Sequence, residues 1–272
     1  RWESDPAKAL AGAEWIVMAV PSRYYADVCD RFKGLVDPDL PLVSLTKGLC
    51  EQTHRGMSLL ARERLGVRRV AVLSGPSHAE EVARGLPTAV VAASDDMPLA
   101  AAVQQLFGGP RFRVYTCTDP LGVELGGAVK NVIAVAVGVS DGLGFGDNTR
   151  AALITRGLAE MTRLGCAMGA RAETFAGLSG LGDLVVTCSS RHSRNHAVGE
   201  RLGRGEKIDA ILSGMQMVAE GVWNCHIVHD LAEKAGVEMP ISSLVHRFCD
   251  QGLDPHEAVE DLMGRASKAE VL

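Results

Sequence analysis

The sequence lacks the marks of several common classes of protein. Its seven cysteines are odd in number and never form a CxxC pair, which argues against zinc ribbons and disulfide frameworks and favours a reducing cytoplasm. Basic residues are not in excess, and the net charge of -5 argues against a general nucleic-acid binder. No signal peptide is visible, and the longest apolar run, residues 132–139, is too short for a membrane span.

What is present indicates two domains. The chain has 272 residues, of which 47% are hydrophobic and 22% charged, so it is long enough for more than one core. Over residues 1–118, short Val-rich runs alternate with helical segments, and five of these runs predict strands: AEWIVMAVPS, PLVSLTKGL, RRVAVLSGPS, PTAVVAASD and RFRVYTC. Their near-continuous apolarity is typical of a parallel sheet that is buried on both faces.

Residues 119–272 contain no further convincing strand. Their segments follow a helical period, for example PLGVELGGAVKNVIAVAVGVSDGLG and NTRAALITRGLAEMTRLGCAMG. We therefore predict an α/β fold in which a sheet domain over residues 1–118 is followed by an all-helical domain over residues 119–272.

Three predicted strands end in residues suited to a ligand. These ends are residues 21–22 (Pro-Ser), 46–48 (Thr-Lys-Gly) and 75–77 (Gly-Pro-Ser). Ligands of open parallel sheets bind beyond the carboxyl ends of the strands, where glycine permits close approach and lysine offers a cation to a phosphate or carboxylate. Any one of these ends taken alone is more often a simple turn. The three together predict a ligand crevice.

A further signal lies in the segment GLSGLGDLVVTCSSRHSRNHAVGERL. Ser193, Arg194 and Asn195 stand where a helix should begin, and a helix N-terminus with an arginine fork is suited to a phosphate. An ordinary helix cap beside a solvated arginine explains this segment equally well. Asp183, in what reads as a Gly-rich loop, is a candidate partner for a buried cation.

Two histidines of this segment, His192 and His196, are four residues apart and could share a helix face. Neither an HExxH glutamate nor a cysteine pair lies nearby. We interpret them as surface or capping histidines, and we predict no metal site.

The segment GGAVKNVIAVAVGV places one ammonium group, that of Lys130, in the most apolar part of the chain. Apolar residues surround the predicted helix almost completely, so the helix should be buried. Burial lowers the pKa of a lysine and makes it a usable base. A lysine that reaches solvent at a domain edge is an equally good interpretation of this segment by itself. Gly126 and Gly127 would let another surface come close.

Five segments, in order, resemble the signatures of bacterial NAD(P)-dependent glycerol-3-phosphate dehydrogenases: TKGL, LSGPSHAEEVA, GAVKNVIAVAVGVSDGLGFGDNTRAALITRGLAEM, GLSGLGDLVVTCSSRHSRN and VAEGV. The resemblance runs from about the first strand to the C-terminal helices. It implies a Rossmann-like dinucleotide-binding domain over residues 1–118, incomplete at its N-terminus, and an all-helical substrate and catalytic domain over residues 119–272.

The resemblance also implies an activity: reversible reduction of dihydroxyacetone phosphate by NADH or NADPH to sn-glycerol 3-phosphate, for phospholipid synthesis. Lys130 falls on the family's proton-transfer lysine, and Lys47 on the lysine that meets both cofactor and substrate. The other substrate contacts implied are Gly75, Ser77, Asp183, Ser193, Arg194 and Asn195. The other cofactor contacts implied are Ala79, Arg194, Val218 and Glu220. A homodimer is left open.

One departure from the family pattern is the start of the chain. The family begins with a strand, a GxGxxG turn and the helix that holds the pyrophosphate, and no such segment precedes the first strand here. We expect an N-terminally truncated member. Two alternatives stay open: a β-hydroxyacid dehydrogenase of the same architecture, in which the lysine and asparagine are usually spaced more widely than Lys130 and Asn131, and a truncated chain without activity.

Overall fold

The computed structural model describes residues 2–215, 219–267 and 269–270. The chain divides into two compact units, Arg1–Leu125 (unit 1) and Gly126–Leu272 (unit 2). This division lies a few residues after the domain boundary predicted between residues 118 and 119.

Unit 1 contains a five-stranded sheet whose strand order follows the chain. Its strands are β1 (Ile16–Met18), β2 (Leu42–Ser44), β3 (Val70–Ser74), β4 (Thr88–Ala93) and β5 (Phe112–Cys117), which confirms all five predicted strands. Strands β1, β2 and β3 are parallel, β4 is antiparallel to β3, and β5 is parallel to β4. The sheet is therefore mixed, not wholly parallel.

The reversal at β4 follows from the short connection after β3. A parallel neighbour requires the chain to return along the whole length of the strand, usually through a helix. The helix between β3 and β4 has five residues and spans only about 8 Å. The five residues of β3 span about 17 Å. The chain therefore enters β4 at the edge of the sheet where β3 ends, and β4 runs antiparallel to β3.

Helices of unit 1 cover both faces of this sheet, as its apolar strands predicted. The helices of unit 1 are α1 (Pro6–Leu10), α2 (Ser22–Phe32), α3 (Met57–Leu65), α4 (Ala79–Ala83) and α5 (Met97–Phe107). Successive strand residues point to opposite sides. Leu42 packs in a core with Tyr25 and Met57, and Val43 packs in a second core with Leu99.

All the secondary-structure elements in the described part of unit 2 are helices. Its helices are α6 (Pro120–Gly142, which begins in unit 1), α7 (Asp147–Ala167), α8 (Ala172–Ala176), a π-helical turn (Leu178–Gly182), α9 (Asp183–Ser189), α10 (Arg194–Gly203), α11 (Ile208–Ser213), α12 (Glu220–Ala235), α13 (Pro240–Gln251) and α14 (Pro255–Met263). By length and composition α6 could cross a membrane, yet 94% of its most apolar 18-residue window is buried within the protein. Such burial is typical of a core helix.

Glycines allow α6 and α10 to cross in backbone contact. Gly138 and Gly142 lie one turn apart on α6, and Gly199 and Gly203 lie one turn apart on α10. A methyl group added at Gly199 would overlap the carbonyl of Val135, and one at Gly203 would overlap the carbonyl of Val139. Any larger residue would therefore have to push the two helices apart.

Two buried glutamates cap the N-termini of other helices. Glu160 of α7 accepts hydrogen bonds from the backbone N–H groups of Ile241 (2.7 Å) and Ser242 (3.1 Å), in the first turn of α13. In unit 1, Glu124 accepts from the backbone N–H of Ser58 at 2.8 Å and from its hydroxyl at 2.6 Å. Burial raises the pKa of both carboxyls above the usual glutamate range, and the hydrogen bonds oppose this effect. Neither cap was predicted from the sequence.

Gly199→Ala should destabilise the protein, because the new methyl overlaps a backbone carbonyl that cannot move alone. We expect the free energy of unfolding to fall by about 2–3 kcal/mol, as measured by urea denaturation. Gly214→Ala is the matched control, since its methyl would stand 3.7 Å from the nearest atom; we expect a change within about 0.5 kcal/mol there. Equal effects of the two substitutions would contradict the close crossing.

Glu160→Gln should change how stability depends on pH. Because the folded Glu160 carboxyl holds its proton more tightly than the unfolded one, the stability it contributes is fully present below the unfolded pKa and is lost as pH rises through the raised folded pKa. We expect the free energy of unfolding of the wild type, minus that of Glu160→Gln, to fall as pH rises from about 4.

Denaturation at a series of pH values measures this difference, with the exposed Glu173→Gln as the control. A difference that stays flat or rises with pH would mean that burial does not dominate at Glu160.

Candidate active-site residues

The amine of Lys130 is buried in an ion pair inside unit 2. The side chains of Lys130 and Asp183 are 5% and 2% exposed, and Nζ lies 2.5 Å from Asp183 Oδ1. Nζ also donates a hydrogen bond to Thr187 Oγ1 at 2.8 Å. The interpretation of a lysine that reaches solvent is therefore wrong, and the predicted pairing of Asp183 with a buried cation is confirmed.

Asp183 reaches this position from a helix and not from a loop, which corrects the prediction. It is the first residue of α9, directly after the π-helical turn. Close packing places that turn, because a methyl added at Gly126 of α6 would stand 2.8 Å from the carbonyl of Ser179. Thr187 lies one helical turn after Asp183 and donates its own hydroxyl to the Asp183 carbonyl at 2.5 Å. The threonine oxygen is thereby oriented to accept from the lysine.

The pair is an electrostatic compromise. Burial disfavours both charged forms, whereas a carboxylate at hydrogen-bond distance stabilises an ammonium. The ion pair holds the amine in one position. Burial raises the pKa of the neighbouring Cys188 thiol to about 12, so this thiol stays protonated.

The predicted start of a helix at residues 193–195 is confirmed. Ser193 is the N-cap of α10, and its hydroxyl accepts a hydrogen bond from the backbone N–H of His196 at 3.2 Å. The side chain of Ser193 thus serves as a cap, and a role in binding substrate stays a prediction. Arg194 is exposed at the first position of the helix.

Asn195 belongs to a buried hydrogen-bond network that joins three helices. Its Nδ2 donates to Asn131 Oδ1 at 2.9 Å, and its Oδ1 accepts from the backbone N–H of Gly221 at 2.9 Å. Asn131 Nδ2 donates in turn to the carbonyl of Gly127 at 3.0 Å. This network fixes the residue next to Lys130 on α6.

Sequence reasoning did not assign a site role to Asn131 or Thr187. Two simple signals were available: Asn131 directly follows Lys130, and Thr187 lies four residues, one helical turn, after Asp183.

The two histidines of this region do not share a helix face, although their spacing allowed it. His192 lies in the turn before α10, whereas His196 is in its first turn. His196 Nε2 is 2.7 Å from Asp141 Oδ2, and the same carboxylate pairs with Arg150 at 3.1 Å. His196 is thus part of a structural ion cluster.

In unit 1, the three predicted strand ends lie at one edge of the sheet, because β1, β2 and β3 are parallel. Lys47 Nζ donates to the carbonyl oxygen of Gly75 at 2.7 Å, and Ser77 Oγ donates to the same oxygen at 2.9 Å. Gly75 has φ +142, and a methyl there would stand 3.0 Å from Val90 Cα, so a glycine is required. The structure thus brings Lys47, Gly75 and Ser77 together.

The remaining predicted residues lie at helix starts or outside the described residues. Ala79 is the exposed first residue of α4, and Glu220 is the half-buried first residue of α12. Val218 lies outside the described residues.

Comparison with known families covers both halves of the chain. The model of the NAD-dependent glycerol-3-phosphate dehydrogenase N-terminus matches residues 1–100, and that of the C-terminus matches residues 119–260. The chain belongs to the NAD-dependent glycerol-3-phosphate dehydrogenase family. Lys130, Asp183, Asn195 and Glu220 all lie in the matched C-terminal region of the family.

Curated members of the family align over nearly the whole chain. A Clostridium perfringens (strain SM101 / Type A) protein named glycerol-3-phosphate dehydrogenase (NAD(P)+) is 47% identical over 98% of this chain and 80% of its own length. A protein of the same name from Pelotomaculum thermopropionicum is 50% identical over 98% of this chain and 77% of its own length. This chain therefore spans about four fifths of these relatives.

Solved structures agree with the family assignment. The crystal structure of glycerol-3-phosphate dehydrogenase from Coxiella burnetii has a TM-score of 0.91 at 44% identity, over 95% of this chain and 79% of that one. A ketopantoate reductase from Ralstonia eutropha JMP134, at 14% identity and a TM-score of 0.57, shares the fold alone. These matches favour glycerol-3-phosphate dehydrogenase over the β-hydroxyacid dehydrogenase alternative.

A double-mutant cycle should show strong coupling between Lys130 and Asp183. Lys130→Met and Asp183→Asn each leave one charge buried without its counter-ion, so each should lower the free energy of unfolding by about 3–5 kcal/mol. The double variant should be more stable than the sum of the single effects predicts, by at least about 1 kcal/mol.

The control is the same cycle on the exposed pair of Arg68 and Asp39, whose side chains are 66% and 68% exposed. We expect a coupling below about 1 kcal/mol there. Additive effects at Lys130 and Asp183 would show that the ion pair does not hold the two groups together.

Proposed function

We propose that this protein catalyses the reversible, NAD(P)H-dependent reduction of dihydroxyacetone phosphate to sn-glycerol 3-phosphate, the precursor of glycerophospholipids. The observation that carries the proposal is the match of the two family models over both halves of the chain. The relatives named glycerol-3-phosphate dehydrogenase (NAD(P)+) support the same activity. The buried amine of Lys130 supplies a proton donor that such a reaction needs.

NAD or NADP is the cofactor of this reaction, and unit 1 has features that fit a dinucleotide. The carboxyl ends of β1, β2 and β3 share one edge, and the eleven-residue helix α2 begins shortly after β1 with no side-chain cap from Pro21. A helix N-terminus at such an edge is suited to a phosphate. The chemistry that this cofactor would supply is a hydride for the ketone carbon, or a hydride acceptor for the alcohol in the reverse direction. The proposed contacts to the cofactor are Lys47, Ala79, Arg194, Val218 and Glu220.

Lys130 is the proposed proton-transfer residue. As the ketone oxygen of dihydroxyacetone phosphate gains negative charge, the ammonium gives it a proton, and in reverse the neutral amine takes the hydroxyl proton. Asp183 and Thr187 position Nζ through the 2.5 and 2.8 Å contacts. Asp183 also balances the positive charge before the proton leaves.

The phosphate group of the substrate is proposed to bind at the start of α10. The helix N-terminus favours an anion, and the exposed guanidinium of Arg194 can hold a phosphate with two hydrogen bonds. The network of Asn195 with Asn131 and Gly221 holds this helix start in place. The family resemblance supports the other proposed substrate contacts, which are Lys47, Gly75, Ser77, Asp183, Ser193 and Asn195.

We further propose a cytoplasmic location and a homodimer. All seven cysteines are free, which supports a reducing compartment. Light scattering on the purified protein would determine the assembly.

Lys130→Ala in the complete gene product should lower kcat for dihydroxyacetone phosphate reduction by at least about 100-fold, because the substitution removes the proposed proton donor. The loss of NADH absorbance measures this rate. Lys207→Ala, at an exposed lysine of the same unit, should leave the rate unchanged.

A panel of phosphorylated substrates and 3-hydroxy acids tests the substrate class, and we expect turnover of the phosphorylated substrate alone. Unchanged turnover in Lys130→Ala would contradict the proposed role of the lysine. A preference for a hydroxy acid would contradict the proposed function.

A further inference from the structure

A cluster of histidine and aspartate side chains lies between α12 and α13, in a part of unit 2 that the proposed reaction does not use. His226 belongs to α12, whereas His246 and Asp250 are four residues apart on α13 and share one face of that helix. One ligand-type atom from each of the three residues lies within 4.8 Å of the other two. The helix pair thus gathers three metal-binding side chains from positions that are distant in the sequence.

Two distances within the cluster are close to those of a coordination shell, and the ligand-type atoms of His226 and His246 lie within 4.8 Å of each other. Asp250 Oδ2 lies 3.0 Å from His246 Nε2 and 3.4 Å from His226 Nδ1. Ligand atoms about 2.0–2.1 Å from a tetrahedral zinc ion are separated by about 3.3 Å. We propose that His226, His246 and Asp250 bind one divalent first-row transition-metal ion, with Zn²⁺ as the best fit, and that the ion links α12 to α13.

The donor set agrees with this class of metal. Imidazole nitrogen suits zinc, copper and nickel, and two imidazoles with one carboxylate leave a tetrahedral ion one further position for water. The side chains of His226 and Asp250 are 42% and 49% exposed, which gives an ion a path from solvent. His246 is only 16% exposed and forms the inner side of the cluster.

A neighbouring ring packs against the inner histidine of the cluster. The ring of His229 stacks on that of His246, with centroids 4.2 Å apart and planes 11° apart, and so restrains its orientation.

The neighbouring thiol of Cys225 is buried and donates to the carbonyl of Val222 at 3.0 Å. The prediction of no metal site came from local spacing alone, and this cluster spans two helices.

Titration of the metal-stripped protein with Zn²⁺ in a calorimeter tests the proposal. We expect one equivalent to bind and the Tm to rise. His226→Ala, at a half-exposed position that should tolerate the change, and Asp250→Ala should each weaken binding at least about 10-fold. His256→Ala, at an exposed histidine of α14, is the matched control and should bind as the wild type does. Circular dichroism of the metal-free variants checks that each is folded.

Substitution with Co²⁺ distinguishes this site from binding by cysteines. Coordination by nitrogen and oxygen gives d–d bands without an intense thiolate-to-cobalt charge-transfer band. Those d–d bands, lost in His226→Ala and kept in His256→Ala, would support the site. A charge-transfer band, unchanged affinity in a folded His226→Ala protein, or no binding of Zn²⁺ at all would overturn it.

Discussion

The burial of a single ammonium group sets the main constraint on the helical unit of this protein. Lys130 stands in an apolar stretch of α6, and its buried charge is stabilised there by Asp183 at ion-pair distance. That distance requires the start of α9 to lie against α6. Gly126 of α6 meets this requirement, since a side chain there would crowd the carbonyl of Ser179. The electrostatics of the proposed proton donor therefore depend on the absence of a side chain one turn away.

The same helix α6 is tied to its other neighbours by small residues and by amides. Gly138 and Gly142 leave room for the backbone of α10, and Asn131 continues the contact through Asn195. Backbone contact leaves little freedom for one helix to slide along another, because each added atom overlaps a carbonyl. Such rigidity suits a site in which a proton must move over hydrogen-bond distance. The zinc cluster proposed between α12 and α13 would tighten a separate part of the same unit.

The sheet and helices with clear periodicity could be predicted, and the exceptions have physical causes. All five strands could be recognised because short Val-rich runs bounded by Pro, Gly or Ser are typical of buried strands. Helices α1, α4 and α8 have only five residues each, too short to show an amphipathic period. The antiparallel β4 was missed because strand direction depends on the length of the connection. Asp183 was assigned to a loop because its glycines mask a helix start.

The sequence by itself determined the α/β order, the buried helix around Lys130, and the resemblance that pointed to the family. These are local properties, carried by hydrophobic period and by motifs that are continuous in the chain. Only the tertiary structure decided which groups meet: Thr187 with Lys130, Glu160 with the start of α13, and the carbonyl of Gly75 with Lys47. Such partners are separated by tens of residues, and their contact depends on how helices and strands pack, which no local pattern encodes.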